Sequence, residues 1–265
     1  MNKIEKEMLL ILKKLKNENN VVAVKAEFEA EGTRIDELLR LMDIARKANV
    51  KIALKIGGCE AIKDLMECKQ LGVDYIIAPM VETPYALTKF IQAKNKVYDD
   101  VDQEDTDFLF NVETITTYKN LNEMVEIAKL NGRIDGIVFG RVDFSGSMNQ
   151  SRDNVNTNEI LKYCLDTANL VKDTDLDLVI GGAISIDSLD ILKKIAEVKL
   201  DRFETRKIIF SSEAIKNKDI KQAMLDAVKF ELLWLLSKKN YYQHITIEDE
   251  KRIEMLESRW KVLDN

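Results

Sequence analysis

"FNVETITTYKNL" occupies residues 110–121, and "DGIVFGRVDFSGSM" occupies residues 135–148. Each climbs through apolar residues and then meets a carboxylate, Glu113 in the first and Asp143 in the second. Apolar runs without strict alternation suit strands buried on both faces, as in a parallel sheet covered by helices. Five other runs repeat the theme: "VVAVKAE" (21–27), "KIALKI" (51–56), "DYIIAP" (74–79), "LDLVIGG" (176–182) and "RFETRKIIF" (202–210). Helical segments lie between them, among them "IDELLRLMDIARKA" (35–48), "AIKDLMECKQL" (61–71) and "NLNEMVEIAKL" (120–130). In the last, Leu121, Met124, Val125, Ile127, Ala128 and Leu130 fall on one side at i, i+3, i+4 spacing. Thr83-Pro84 reads as the cap and first residue of a helix after the third run.

Strands alternating with helices leave two architectures, an open doubly wound sheet or a (β/α)8 barrel. The turn after the first run, "FEAEGTR", is not rich in glycine, "IGG" at 56–58 is not GxGxxG, and no GxxxxGK[ST] occurs. Charged residues are spread over the ends of several strands, as at the C-terminal face of a barrel. The expected fold is therefore a TIM-type barrel over residues 1–215. Seven strands are visible, so the eighth is irregular, missing or hidden near the N-terminus. Residues 216–265 read as a helical extension of two long helices. Its "FELLWLL" (230–236) is too apolar for a free surface and predicts packing on the barrel or, in a homo-oligomer, on another subunit.

Composition narrows the chemistry. The 265 residues are 46% hydrophobic and 32% charged, with a net charge of −6 and no basic face suited to nucleic acid. No apolar run is long enough for a membrane span. The acids in "MNKIEKEMLLILKKLKNENN" argue for an amphipathic first helix and against a targeting peptide. Three cysteines without CxxC spacing are expected to be reduced thiols in a cytoplasmic protein. With one histidine, His244, near the C-terminus, a histidine triad or a His-rich metal site is not expected. Catalysis falls to carboxylates, lysines, arginines or an oxygen-held metal.

Carboxylates at neighbouring strand ends repel unless one takes a proton or a cation lies between them. Glu113 and Asp143 thus suit a divalent ion with oxygen ligands. Capping a helix, or pairing with a nearby Lys or Arg, would also account for each of them.

The same stretches resemble the HpcH/HpaI aldolase and citrate lyase family of metal-dependent (β/α)8 enzymes. Asn111-Val112-Glu113-Thr114 is similar to a family strand end, Asp135 to Ser145 to its DGVFIGPxDLS strand, and "GVDYIIAPMVET" (72–83) to its Pro-Met-Val strand. The resemblance implies that Glu113 and Asp143 hold Mg²⁺, or Mn²⁺ or Co²⁺. It implies a substrate that is pyruvate or another small 2-oxo acid, reacting through an enolate with an aldehyde or acyl acceptor. Where many members carry an arginine on the enolate oxygen this chain has Lys55, and where the aldolase branch carries a histidine it reads "AEFEAEG". Proton transfer is then expected from Glu27 or Glu29.

Other residues complete the expectation. Lys55 contacts oxygen, forms a Schiff base, or simply pairs with an acid; Lys25 reads as an ion-pair partner. Arg206 either binds an anionic substrate group or pairs with Glu204, and Arg141 is a second anion contact. Gly57 and Gly58 let backbone NH groups approach an anion, or make a tight turn. His244 reads as an ordinary residue of the tail. The leading function is a metal-dependent carbon–carbon lyase; the alternatives are a Schiff-base aldolase and a silent barrel kept for binding or assembly.

Overall fold

The computed structural model describes residues 1–130 and 134–263, and the side chains of Leu130, Lys261, Val262 and Leu263 lie outside what is described. The chain runs α1 (Lys3–Glu18), β1 (Val21–Glu27), α2 (Ile35–Lys47), β2 (Lys51–Lys55), α3 (Ile62–Leu71), β3 (Tyr75–Ala78), α4 (Pro84–Val97), β4 (Asp107–Val112) and α5 (Ile115–Leu130). It continues through β5 (Gly136–Gly140), α6 (Arg141–Ser147), α7 (Asn158–Val171), β6 (Asp177–Gly181), α8 (Leu189–Ala196), β7 (Arg202–Glu204), β8 (Ile208–Ser211) and α9 (Ile220–Leu263). The eight strands close into a barrel in sequence order. Local signals set several boundaries: Thr83 Oγ1 accepts the Ala86 NH at 3.1 Å with Pro84 in the first turn of α4, and Gly72 ends α3 in the left-handed conformation.

The eighth strand is the irregular one. The first seven run parallel, but β8 pairs antiparallel with both β7 and β1. The run at 202–210, expected as a single strand, is a hairpin that turns at Thr205-Arg206-Lys207. Descending from the mouth, β8 delivers the chain to the bottom of the barrel, where α9 starts. Asn217 there reaches the Glu18 carbonyl at the end of α1, whereas Ser237 meets Asn2 at its beginning. α9 therefore lies antiparallel to α1 and continues past the mouth. It is one uninterrupted helix where two were expected, because no glycine or proline occurs in 220–263 to break it.

Side-chain alternation divides the strands into two cores. Outward residues such as Val24, Ile76, Phe110, Phe139 and Phe210 pack under the helices. Inward residues Ala23, Ala53, Tyr75, Ile77, Leu109, Val138, Val179 and Ile209 fill the barrel as an apolar floor. The next inward positions toward the mouth are polar: Lys25, Glu27, Lys55, Asn111 and Glu204. From "FELLWLL", Phe230, Leu233 and Trp234 are buried, but Leu232, Leu235 and Leu236 are exposed. The cysteines are unpaired; burial pushes the Cys164 thiol up to about 12 and Cys68 higher still, so neither is a nucleophile. No helix among the described residues is long and apolar enough to cross a membrane.

Candidate active site

Above the floor the mouth opens into a cavity of about 600 Å³. Its lining includes six carboxylates, Glu27, Glu29, Glu113, Asp143, Glu204 and Glu231, and four cationic side chains, Lys25, Lys55, Arg152 and Arg206, a net charge of −2.

Glu113, just after β4, is 1% exposed. Its Oε1 accepts the Met80 backbone NH at 2.8 Å, and its Oε2 accepts Asn111 Nδ2 at 2.6 Å and Lys55 Nζ at 3.2 Å. Met80 presents that NH from a left-handed conformation (φ 50°), an unfavourable geometry for a side chain of its size. A Cβ on Gly140 would stand 3.1 Å from Glu113 Cβ, and one on Gly181 would stand 2.9 Å from Glu204 Oε1. The two strand-end glycines give these carboxylates room to lean inward.

Asp143 lies in the first turn of α6, beyond the end of β5. It has no hydrogen-bond or ion-pair partner among the described residues. Although its side chain is exposed, desolvation at the mouth, then the negative charges of Glu113, Glu29 and Glu27, raise its pKa against the opposing pull of Lys55.

Lys55 is held between Glu113 Oε2 at 3.2 Å and Glu29 Oε2 at 3.3 Å. Burial pulls its pKa down, but Glu113 and Glu29 more than offset that, and the net shift is upward. Lys25 behaves alike, bridging Glu204 at 2.5 Å and Glu27 at 3.3 Å. Both are ammonium ions at neutral pH. Burial does lower Lys207, but this last residue of the hairpin turn is itself buried and paired with Glu31.

Glu27 is tied to Lys25 and, at 3.3 Å, to Arg206. Although burial opposes it, these cations hold the carboxyl below its usual range, which makes Glu27 a weak base. Arg206 spans Glu27 and Glu31, so its pairing is with these acids and not the expected Glu204.

Two expectations are corrected. Arg141 does not reach the mouth: it is fully buried and outward-facing, one residue past the inward Gly140. Its guanidinium donates to the carbonyls of Gly181 (3.2 Å), Gly182 (2.8 Å) and Val155 (3.3 Å), to Asn156 Oδ1 (2.9 Å) and to Ser188 Oγ (3.2 Å). It clamps loops and leaves no donor for a substrate. Gly57 and Gly58 also lie off the cavity, and the Gly57 NH is given to Asp64 Oδ2 at 2.7 Å, whose charge repels a second anion. Sequence reasoning missed Arg152, whose exposed guanidinium lines the mouth with no partner among the described residues. It also missed Asn111 and the Met80 NH as supports of Glu113. The "PMV" stretch was the signal for Met80.

The cavity has surplus acceptors. Among the described residues the buried oxygens Asn111 Oδ1, Glu29 Oε2 and Glu204 Oε2 receive no hydrogen bond, although Lys55 stands near Glu29. Such an oxygen-rich, net negative site fits a hard divalent cation. Among the described residues no three or more His, Cys, Asp or Glu are grouped for a metal. The protein ligands would be the Glu113 and Asp143 carboxylates, with water and substrate in the other positions, as is usual for Mg²⁺.

The family model for HpcH/HpaI aldolase/citrate lyase matches residues 19–178, more than half of the chain and all of β1 to β5 with their mouth residues. The chain belongs to this family. Lyase and aldolase chemistry on small molecules is thus its class of activity. Among solved structures, a HpcH/HpaI aldolase/citrate lyase family protein from Burkholderia cenocepacia J2315 shares the fold with a TM-score of 0.58 at 10% identity, covering 84% of this chain and 90% of that one. A variant of the citrate synthase SbnG gives 0.52 at 13% identity (73% and 90% covered), and RipC from Yersinia pestis gives 0.51 at 12% (76% and 88%). No curated protein sequence matches the chain.

Proposed function

We propose that this family member is a divalent-metal-dependent carbon–carbon lyase acting on pyruvate or a related 2-oxo acid, which it joins to or releases from an aldehyde or acyl acceptor. One observation carries the reading: Asp143, without a partner among the described residues, and the buried Glu113 share a cavity with surplus acceptors and a charged lysine. Glu113 and Asp143 would hold Mg²⁺, Mn²⁺ or Co²⁺, which when bound supplies Lewis-acid stabilisation of the charge that develops as the enolate forms.

The chain's own groups do the rest. Lys55 Nζ places a fixed positive charge beside the developing oxyanion, as a point charge without the two-pronged geometry of arginine. Arg152 takes the substrate carboxylate, in place of the anion contacts expected of Arg206 and Arg141. Arg206 is occupied by Glu27 and Glu31 and shapes the rim. Glu29 moves the proton in preference to Glu27, because Glu27 is locked between two cations. The apolar floor of Ile77 and Val138 limits the substrate to a small acid. A Schiff-base route needs a neutral amine, and the carboxylates around Lys55 and Lys25 oppose it. We place the protein in the cytoplasm, as a homo-oligomer.

The test follows loss of the pyruvate methyl proton signal in D₂O by NMR, with Mg²⁺, Mn²⁺, Co²⁺ or EDTA, for wild type and Glu113→Gln. Metal-dependent exchange abolished by the substitution supports the proposal. Exchange indifferent to EDTA moves the case to a lysine, and no exchange with any metal favours the silent barrel.

A further inference from the structure

α9 carries two opposed faces. Ala223, Met224, Ala227, Phe230, Leu233 and Trp234 are buried against the barrel and α1. On the other side Leu225, Val228, Leu232 and Leu235 are each more than half exposed, and the same three–four spacing resumes at Ile253, Leu256 and Trp260, also more than half exposed. Positions in phase between these blocks are Lys239, Tyr242, Thr246 and Asp249. A seam with a 3.5-residue period is that of a coiled coil. The helix is about 65 Å long at 1.5 Å per residue, and its second half projects past the mouth.

We propose that α9 pairs with α9 of a second copy as an antiparallel coiled coil centred on His244, and that the partner's tail thereby closes one side of the barrel mouth. The arrangement follows from which residues lie equidistant from His244. Leu235 meets the partner's Ile253, Leu232 the partner's Leu256, and Val228 the partner's Trp260. Lys239 meets the partner's Asp249, and Glu231 flanks the partner's Arg259. Each contact occurs twice about the two-fold axis. A parallel pairing would instead set Lys239 on Lys239 and Asp249 on Asp249. The antiparallel pairing does bring Lys238 toward the partner's Arg252, but Lys238 is already paired with Glu37 at 3.0 Å. A second copy is the occupant that the sequence matches, because each half of the helix supplies what the other half leaves uncovered. Val228 and Glu231 line the mouth cavity, so the partner's Trp260 and Arg259 fall at its open side. This deepens the oligomer proposed above, and its test reads association and not turnover, so it fails independently of the lyase chemistry.

The experiment is sedimentation velocity on the full chain: wild type, Lys239→Asp, Asp249→Lys and the double variant, with far-UV circular dichroism. Both positions are exposed, so neither change disturbs the barrel. Turning two symmetry-related pairs from attraction to repulsion is expected to raise the dimer dissociation constant about 30-fold in each single variant. The double variant should return to the wild-type value. In a Trp234→Phe chain, Trp260 is the remaining tryptophan, and acrylamide should quench it less in the dimer than with Lys239→Asp added. A monomeric wild type, single variants that associate normally, a double variant that stays dissociated, or equal quenching would each overturn the proposal.

Discussion

Replacing Arg141 with methionine separates a structural clamp from a substrate contact. The guanidinium serves five acceptors, three of them backbone carbonyls, at 2.8 to 3.3 Å. At about 1 kcal/mol for each buried acceptor left unpaired, the loss is about 5 kcal/mol. Part of it is recovered, because burial depresses the Arg141 pKa and no carboxylate among the described residues accompanies its charge. A net destabilisation of about 3 kcal/mol is expected, lowering Tm by about 6–12 °C for a chain of this size. Urea unfolding followed by circular dichroism measures it directly. The reasoning is refuted if Arg141→Met unfolds within about 1 kcal/mol of wild type, or if its main effect is a raised KM at unchanged stability.

Arg152→Ala should do the opposite, raising KM for a 2-oxo acid about 10-fold with Tm unchanged, since an exposed guanidinium without a partner adds little to folding. Steady-state kinetics beside a melting curve checks both halves. Mg²⁺ or Mn²⁺ at about 100 times its Kd should stabilise wild type by about 2.7 kcal/mol, read calorimetrically against EDTA, and should leave Glu113→Gln unmoved. Glu27 has a lowered pKa, so the stability it contributes is present above the unfolded-state value near 4.5 and is lost as pH falls through the folded one. Glu27→Gln should therefore flatten the acid side of a stability–pH profile, and an unchanged slope would dismiss the link.

Much of the barrel was legible because inward and outward residues of buried strands leave long apolar runs, and charges at their ends stand out. Glu113, Asp143, Lys55, Glu27 and Arg206 all line the mouth for that reason. Arg141 misled because a residue next to a strand end is read by type before parity. Counting inward positions through Val138 and Gly140 turns it away from the cavity. The eighth strand was obscured because Thr205-Arg206-Lys207 carries no glycine, proline or asparagine to announce a turn. Arg152 opens a 3₁₀ turn of five residues between α6 and α7, too short for any periodicity to mark a face.

The hairpin also bears on how this mouth can change over evolution. An ordinary barrel of this type offers eight loops of free length around its opening, each able to grow or shrink without disturbing the frame. Here one of those places is taken by three residues fastened at both ends: the Thr205 NH bonds the Ile208 carbonyl at 2.9 Å, and the Ile208 NH bonds Thr205 Oγ1 at 3.1 Å. An insertion there would shift the pairing of β8 with β1 and, through it, the origin of α9. On that side, new selectivity must come from exchanging charges at fixed positions, not from remodelling a loop.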